Sequence, residues 1–107
     1  MVFLGELRVE AAAENMRTIS LFVQAIGQRL RLVEKALFDI ELSVDEAATN
    51  VMMHAYGDEI GTLLITAEVH DDVLQITLTD WGSPFDPRDI QPFDANTPIE
   101  KRAHGGM

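Results

Sequence analysis

Apolar positions change period along the chain, and each change marks an element. Over residues 2–10, Phe3, Leu7 and Val9 share one parity and Glu6, Arg8 and Glu10 the other, with Gly5 interrupting the apolar row, which predicts a strand. From Ala11 to Leu32 there is no proline, and Met16, Ile19, Phe22, Val23, Ile26 and Leu30 recur at the spacing of an amphipathic helix. Asn15 is placed to cap or interrupt its first turn. A second helix is predicted from Glu34 to Tyr56, with Gly57 placed to end it. Leu37, Ile40, Val44, Ala48, Val51 and Ala55 gather on one seam of that helix, while Glu46 points nearly the opposite way, with Asn50 and His54 towards one side of it. Leu42 and Met53 lie away from the seam, and two uses stay open for them: packing under another element or a subunit contact.

Two strands follow near Thr62–Val69 and Val73–Asp80, joined by the polar turn His70-Asp71-Asp72, so an antiparallel hairpin is expected. From Gly82 onwards Pro84, Pro87, Pro92 and Pro98 fall among Asp, Asn and Gly with no apolar period, giving a loop at about 83–104. A loop that long in a small domain is usually a lid, a binding loop or a disordered segment. The chain stops at His104-Gly105-Gly106-Met107 without a closing element, which raises the expectation that a C-terminal part is missing.

Composition narrows the classes. A chain of 107 residues has room for a single domain, 1–107, with one modest core. The 47% hydrophobic content argues for a folded chain. No apolar run approaches the roughly 20 residues that cross a bilayer, and the N-terminus lacks a basic region and a cleavage site, so the expectation is a cytoplasmic protein without a membrane partner. The absence of cysteine excludes disulfides, thiolate chemistry and cysteine-ligated zinc. A net charge of -10 opposes direct binding of nucleic acid, and an anionic ligand would need local cations, a metal ion or backbone amides.

Four sets of residues are candidates for chemistry. Asp80 shares strand parity with Leu74, Ile76 and Leu78, so its carboxylate ends the row that should face the core and needs a partner there; otherwise it caps the turn into Trp81-Gly82-Ser83-Pro84. Glu46 and Asn50, one helical turn apart, can converge on one ligand, Glu46 as a base and Asn50 as a neutral oxygen ligand for Mg²⁺, or they belong to a solvated helix face. His54 extends that row, as a site residue or as a charge partner of the helix C-terminus. His70 and His104 lie far off in sequence, which leaves zinc with little support. In the long loop, Arg88, Lys101 and Arg102 can neutralise a polyphosphate or serve as surface charge, and Gly105 and Gly106 can admit phosphates or form a flexible end.

Together these segments resemble a known family. "SVDEAATNVMMHAYG" is similar to the N-box of GHKL ATPases in the form carried by bacterial anti-sigma-factor serine/threonine kinases, with Glu46, Asn50 and the ending His54-Ala55-Tyr56. "LTDWGSPFDP" resembles the next box, with Asp80, Gly82 and Phe85-Asp86-Pro87, and "HGGM" looks like the start of the last glycine-rich box. The resemblance implies an α+β fold: a two-layer α/β sandwich of a mixed sheet with helices on one face, here lacking the C-terminal helix and strand with which family members continue. It also implies ATP and Mg²⁺ as cofactors. Asp80 would accept a hydrogen bond from the adenine amino group, Gly82 would permit close approach to the base, Asn50 would ligate Mg²⁺ and Glu46 would activate a serine hydroxyl. His54, Lys101, Arg102, Gly105 and Gly106 would complete the nucleotide site, beneath a lid from Arg88 to Ala103.

The implied function is an anti-sigma-type protein serine/threonine kinase that phosphorylates a small anti-sigma-antagonist protein and sequesters a sigma factor, with a homodimer open. Two other readings stand beside it: a non-catalytic nucleotide- or partner-binding module, and the catalytic domain of a sensor histidine kinase. The His54-Ala55-Tyr56 ending fits the anti-sigma branch better than the last of these.

Overall fold

The structure, a computed structural model, describes residues 1–82 and 94–98. In chain order it runs β1 (Val2–Glu10), a single 3-10 turn (Ala13–Asn15), α1 (Met16–Arg29), α2 (Glu34–His54), β2 (Thr62–His70), β3 (Val73–Asp80) and β4 (Asp94–Pro98). The strands form one sheet in the order β1-β2-β3-β4, and α1 and α2 pack on one face of it, α1 towards β1 and α2 towards β3 and β4. This is the expected α+β two-layer sandwich, with one difference: the sheet, expected to be mixed, is antiparallel at every pairing among the described residues. A helical hairpin separates β1 from β2 and a tight turn separates β2 from β3, connections that return the chain alongside itself in the opposite sense.

The core follows the two periods in the sequence. On β2 and β3, Leu63, Ile65, Ala67, Leu74 and Ile76 are 0–1% exposed, and they meet Ile19, Val23 and Ile26 of α1 and Ile40, Val44, Ala48 and Val51 of α2. Each fully buried Val, Leu or Ile contributes about 1.5–3 kcal/mol of transfer free energy. The helices approach closely where Gly27 of α1 meets Leu37 of α2, since a Cβ at Gly27 would run into the leucine methyls.

Local geometry departs from the simple patterns at four places. In β1 the register shifts between Phe3, opposite Glu68, and Gly5, opposite Ala67. This bulge at Leu4 reverses the parity expected for Phe3, which is exposed while Leu4 packs against the core. Asn15 makes no side-chain cap; its Nδ2 donates to the Glu10 carbonyl at 2.8 Å and so closes the corner from β1. Helix α1 ends in a Schellman motif: Arg31 has φ 56, its N–H donates to the Gln28 carbonyl at 3.1 Å, and the Leu32 N–H donates to the Gly27 carbonyl at 2.9 Å. The β2–β3 turn consists of Asp71 and Asp72, with φ 49 and 62, the two positive values of a type I′ hairpin.

Within the segment read as a structureless loop, Asp94–Pro98 pairs with β3, Thr97 opposite Leu74 and Ala95 opposite Ile76. Backbone pairing to an available edge needs no apolar alternation, and a proline is tolerated at the end of an outermost strand. The flanking residues 83–93 and 99–107, with Arg88, Lys101, Arg102, Gly105 and Gly106, lie outside the described residues. Among the described residues no helix is long and apolar enough to cross a membrane.

Candidate functional site

The end of β3 is built onto the C-terminal end of α2, and two residue types make this possible. Gly82 lies so close to α2 that a Cβ there would overlap the Ala55 carbonyl group. Beside it, Tyr56 links three segments: its hydroxyl donates to the Thr62 carbonyl at the start of β2 (2.6 Å) and accepts the Trp81 N–H at the end of β3 (2.8 Å). Its ring lies where a Cβ on Gly61 would otherwise be. The turn Asp80-Trp81-Gly82 is therefore held against the last turn of α2.

Asp80 is half-buried at the end of the core-facing row, as its parity predicts. It does not enter the core unpartnered: Oδ1 accepts the Gly82 N–H at 3.0 Å, the turn-capping contact that was the alternative reading. A carboxylate offers about four lone-pair positions, so that bond leaves capacity for a further donor such as an exocyclic amine. The need for a ligand is thus weaker than strand parity alone implied. Gly82, whose role by resemblance was to admit the base, is also required for packing on Ala55.

Glu46, Asn50 and His54 occupy the exposed side of α2, away from the Val44-Ala48-Val51 seam, and they span two turns, about 12 Å of helix. Nothing in the core requires a carboxylate or an amide at these positions. The row and the Asp80 turn approach each other at the α2 C-terminus, where His54, Ala55 and Tyr56 follow one another. Trp81, 58% exposed, lies under the Arg8 guanidinium at 5.5 Å from the ring centroid.

The donor set fits a hard cation held partly by substrate. Asn50 offers an exposed amide oxygen, and Mg²⁺ characteristically takes one or two protein oxygens, completing its shell with water and phosphate. Among the described residues no group of three or more His, Cys, Asp or Glu comes together. Tyr56 is the residue whose role pattern reading missed. It stands beside Gly57 and looks like the ordinary end of a helix, and its two bonds exist only once β2 and β3 have folded back onto α2.

A two-layer α+β sandwich, with a polar row on one long helix and a strand-end aspartate turned against that helix, is consistent with the fold of a histidine kinase-like ATPase domain. The chain belongs to the histidine kinase-like ATPase domain family, whose profile matches residues 9–107. It is 29% identical over 95% of its length to "Serine-protein kinase RsbW" of Bacillus cereus, and 35% identical over 95% to the protein of the same name from Halalkalibacterium halodurans. The chain spans 66% and 65% of the length of these two relatives.

Proposed function

We propose that the chain binds ATP with Mg²⁺ at the α2–β3 junction, as part of a protein serine/threonine kinase of the anti-sigma-factor type. The observation that carries this reading is the attachment of the Asp80-Trp81-Gly82 turn to the end of the helix that bears Glu46, Asn50 and His54. Family membership and the printed name of the relatives, serine-protein kinase, support it.

In this reading the free acceptor positions of Asp80 take the adenine amino group, and Asn50 with His54 faces the phosphates. Lys101 and Arg102, from the lid that the resemblance implies, and Gly105 and Gly106, from the glycine-rich box after it, would complete the phosphate site. Asn50 would hold Mg²⁺, which supplies charge neutralisation on an acidic protein. Glu46 accepts the proton of a substrate serine as its Oγ forms a bond to the γ-phosphorus and the bond from that phosphorus to the ADP oxygen breaks. The substrate is a small anti-sigma-antagonist protein, and the same domain grips a sigma factor.

The test is transfer of labelled phosphate from ATP to the cognate antagonist by the full product of the reading frame. Glu46→Gln should lower that transfer by about 100-fold or more while leaving nucleotide affinity in place. A parent protein that binds ATP but transfers nothing to its antagonist would leave only a nucleotide- or partner-binding module. The exposure of Glu46 and Asn50, also expected of a solvated face, keeps that second reading in play.

A further inference from the structure

We infer that Tyr56 is a positioning residue for base recognition: its hydroxyl holds the Asp80 turn at a set distance and angle from the Asn50 side of α2. The inference rests on the nucleotide reading above and adds to it the residue that couples the two halves of the site.

The geometry is specific. Among the described residues, the bond from the Trp81 N–H to the Tyr56 hydroxyl joins the turn to the end of α2. The bond from that hydroxyl to the Thr62 carbonyl fixes the phenol itself. Asp80 precedes Trp81, so the carboxylate that would read the base is one peptide from the anchored amide, while its own bond, to Gly82, is internal to the turn and sets nothing relative to α2. Gly61 and Gly82 remove the side chains that would keep the ring and the turn from approaching. A ligand that contacts Asp80 at one end and Asn50 at the other therefore spans a gap that this hydroxyl helps to set, beside the packing of Gly82 on Ala55 and the pairing of Asp80 with Leu63.

A purely structural bolt and a positioning residue make different demands. The hydroxyl lies at the rim of the sandwich, whereas the core of Ile19, Val23, Val44, Leu63, Ile65, Leu74 and Ile76 is complete without it. Losing it should therefore loosen the turn and leave the fold. Base discrimination then suffers most, because a hydrogen bond to the base weakens with sub-ångström displacement, whereas phosphate attraction does not.

The experiment compares the full product of the reading frame with Tyr56→Phe, measuring binding of ATP–Mg²⁺ and GTP–Mg²⁺ by calorimetry alongside cooperative unfolding in urea. In the parent, ATP binds more tightly than GTP. Tyr56→Phe still unfolds cooperatively, binds ATP about tenfold more weakly, and has a smaller ATP-to-GTP ratio. A second measurement does not depend on that variant's folding: fluorotyrosine placed at position 56 of the otherwise unchanged protein gives a fluorine resonance that shifts on saturation with ADP. Unaltered affinity and ratio in Tyr56→Phe, an equal loss for both nucleotides, or a resonance unmoved by ADP overturns the positioning role while nucleotide binding stands. A parent that binds neither nucleotide overturns both this inference and the reading beneath it.

Discussion

The two ends of α2 each meet a neighbour across a glycine, and the contacts differ in what the glycine faces. At the N-terminal end, a Cβ on Gly27 would encounter the methyl groups of Leu37, the tip of a side chain with other rotamers available. At the C-terminal end, a Cβ on Gly82 would overlap the backbone of Ala55, which can move only if the helix end or the strand end moves. The first contact joins helix to helix within the core; the second joins the helix to the Asp80 turn. Tolerance to change should therefore be lowest where the candidate site is built, although both positions hold the same residue type.

The largest effect expected from this contrast is that of Gly82→Ala, which should cost about 2–3 kcal/mol of stability through overpacking against backbone, read as a lowered urea midpoint. A midpoint shift equivalent to under about 0.5 kcal/mol, the range of an ordinary surface change, would mean that the two backbones are free to separate. Next comes the closure of the Gly27 end. Arg31 occupies the left-handed position of the Schellman motif, with φ 56. Arg31→Gly should raise stability by about 0.5–1 kcal/mol, the relief of a left-handed non-glycine residue less the entropy that glycine loses on folding. A thermal midpoint equal to or below that of the parent would contradict this account. Smaller still is Gly27→Ala: a gain of about 0.8–1.0 kcal/mol in helix propensity is set against the displacement of Leu37, leaving a net change within about 0.5 kcal/mol. If Gly27→Ala cost as much as Gly82→Ala, the distinction between side-chain tip and backbone would fail.

The same contrast separates what could be read along the chain from what could not. The helix seams, the hairpin and the boundary of β3 at Asp80 follow from period and turn chemistry, because burial of one face is decided residue by residue. The exposed placement of Glu46, Asn50 and His54 follows from the same wheel, whereas the preference for a site over a solvated face rests on likeness to a family. The bulge at Leu4 was hidden because Gly5 already blurred the alternation of β1. The left-handed end of α1 was hidden because an arginine stands where a glycine would have announced it. Tyr56, Gly61 and Gly82 were unreadable as a unit, since their contacts join residues brought together only by folding. Strand β4 was missed because its pairing uses backbone groups that every sequence carries.

Between the two ends of α2, Asp45 provides the finest test, because its half-buried carboxyl belongs to neither glycine contact. Burial disfavours its charged form and raises its pKa above the usual 3.8. With the folded value above the unfolded one, the native chain holds this proton more tightly. Its stabilising contribution is therefore full below the unfolded value and is lost as pH rises through the folded value. Asp45→Asn keeps a neutral group at every pH. The prediction is that the stability of Asp45→Asn relative to the parent increases as pH rises from about 3 towards 6, across the ordinary carboxylate range. Paired urea midpoints along that series give the readout. A difference between the two proteins that stays constant, or that shrinks with rising pH, would show that folding does not penalise the Asp45 charge. The sloping difference expected here would mark the middle of α2 as a place where the fold tolerates a charge at a cost, unlike the junction at its C-terminal end, where the cost falls on added volume.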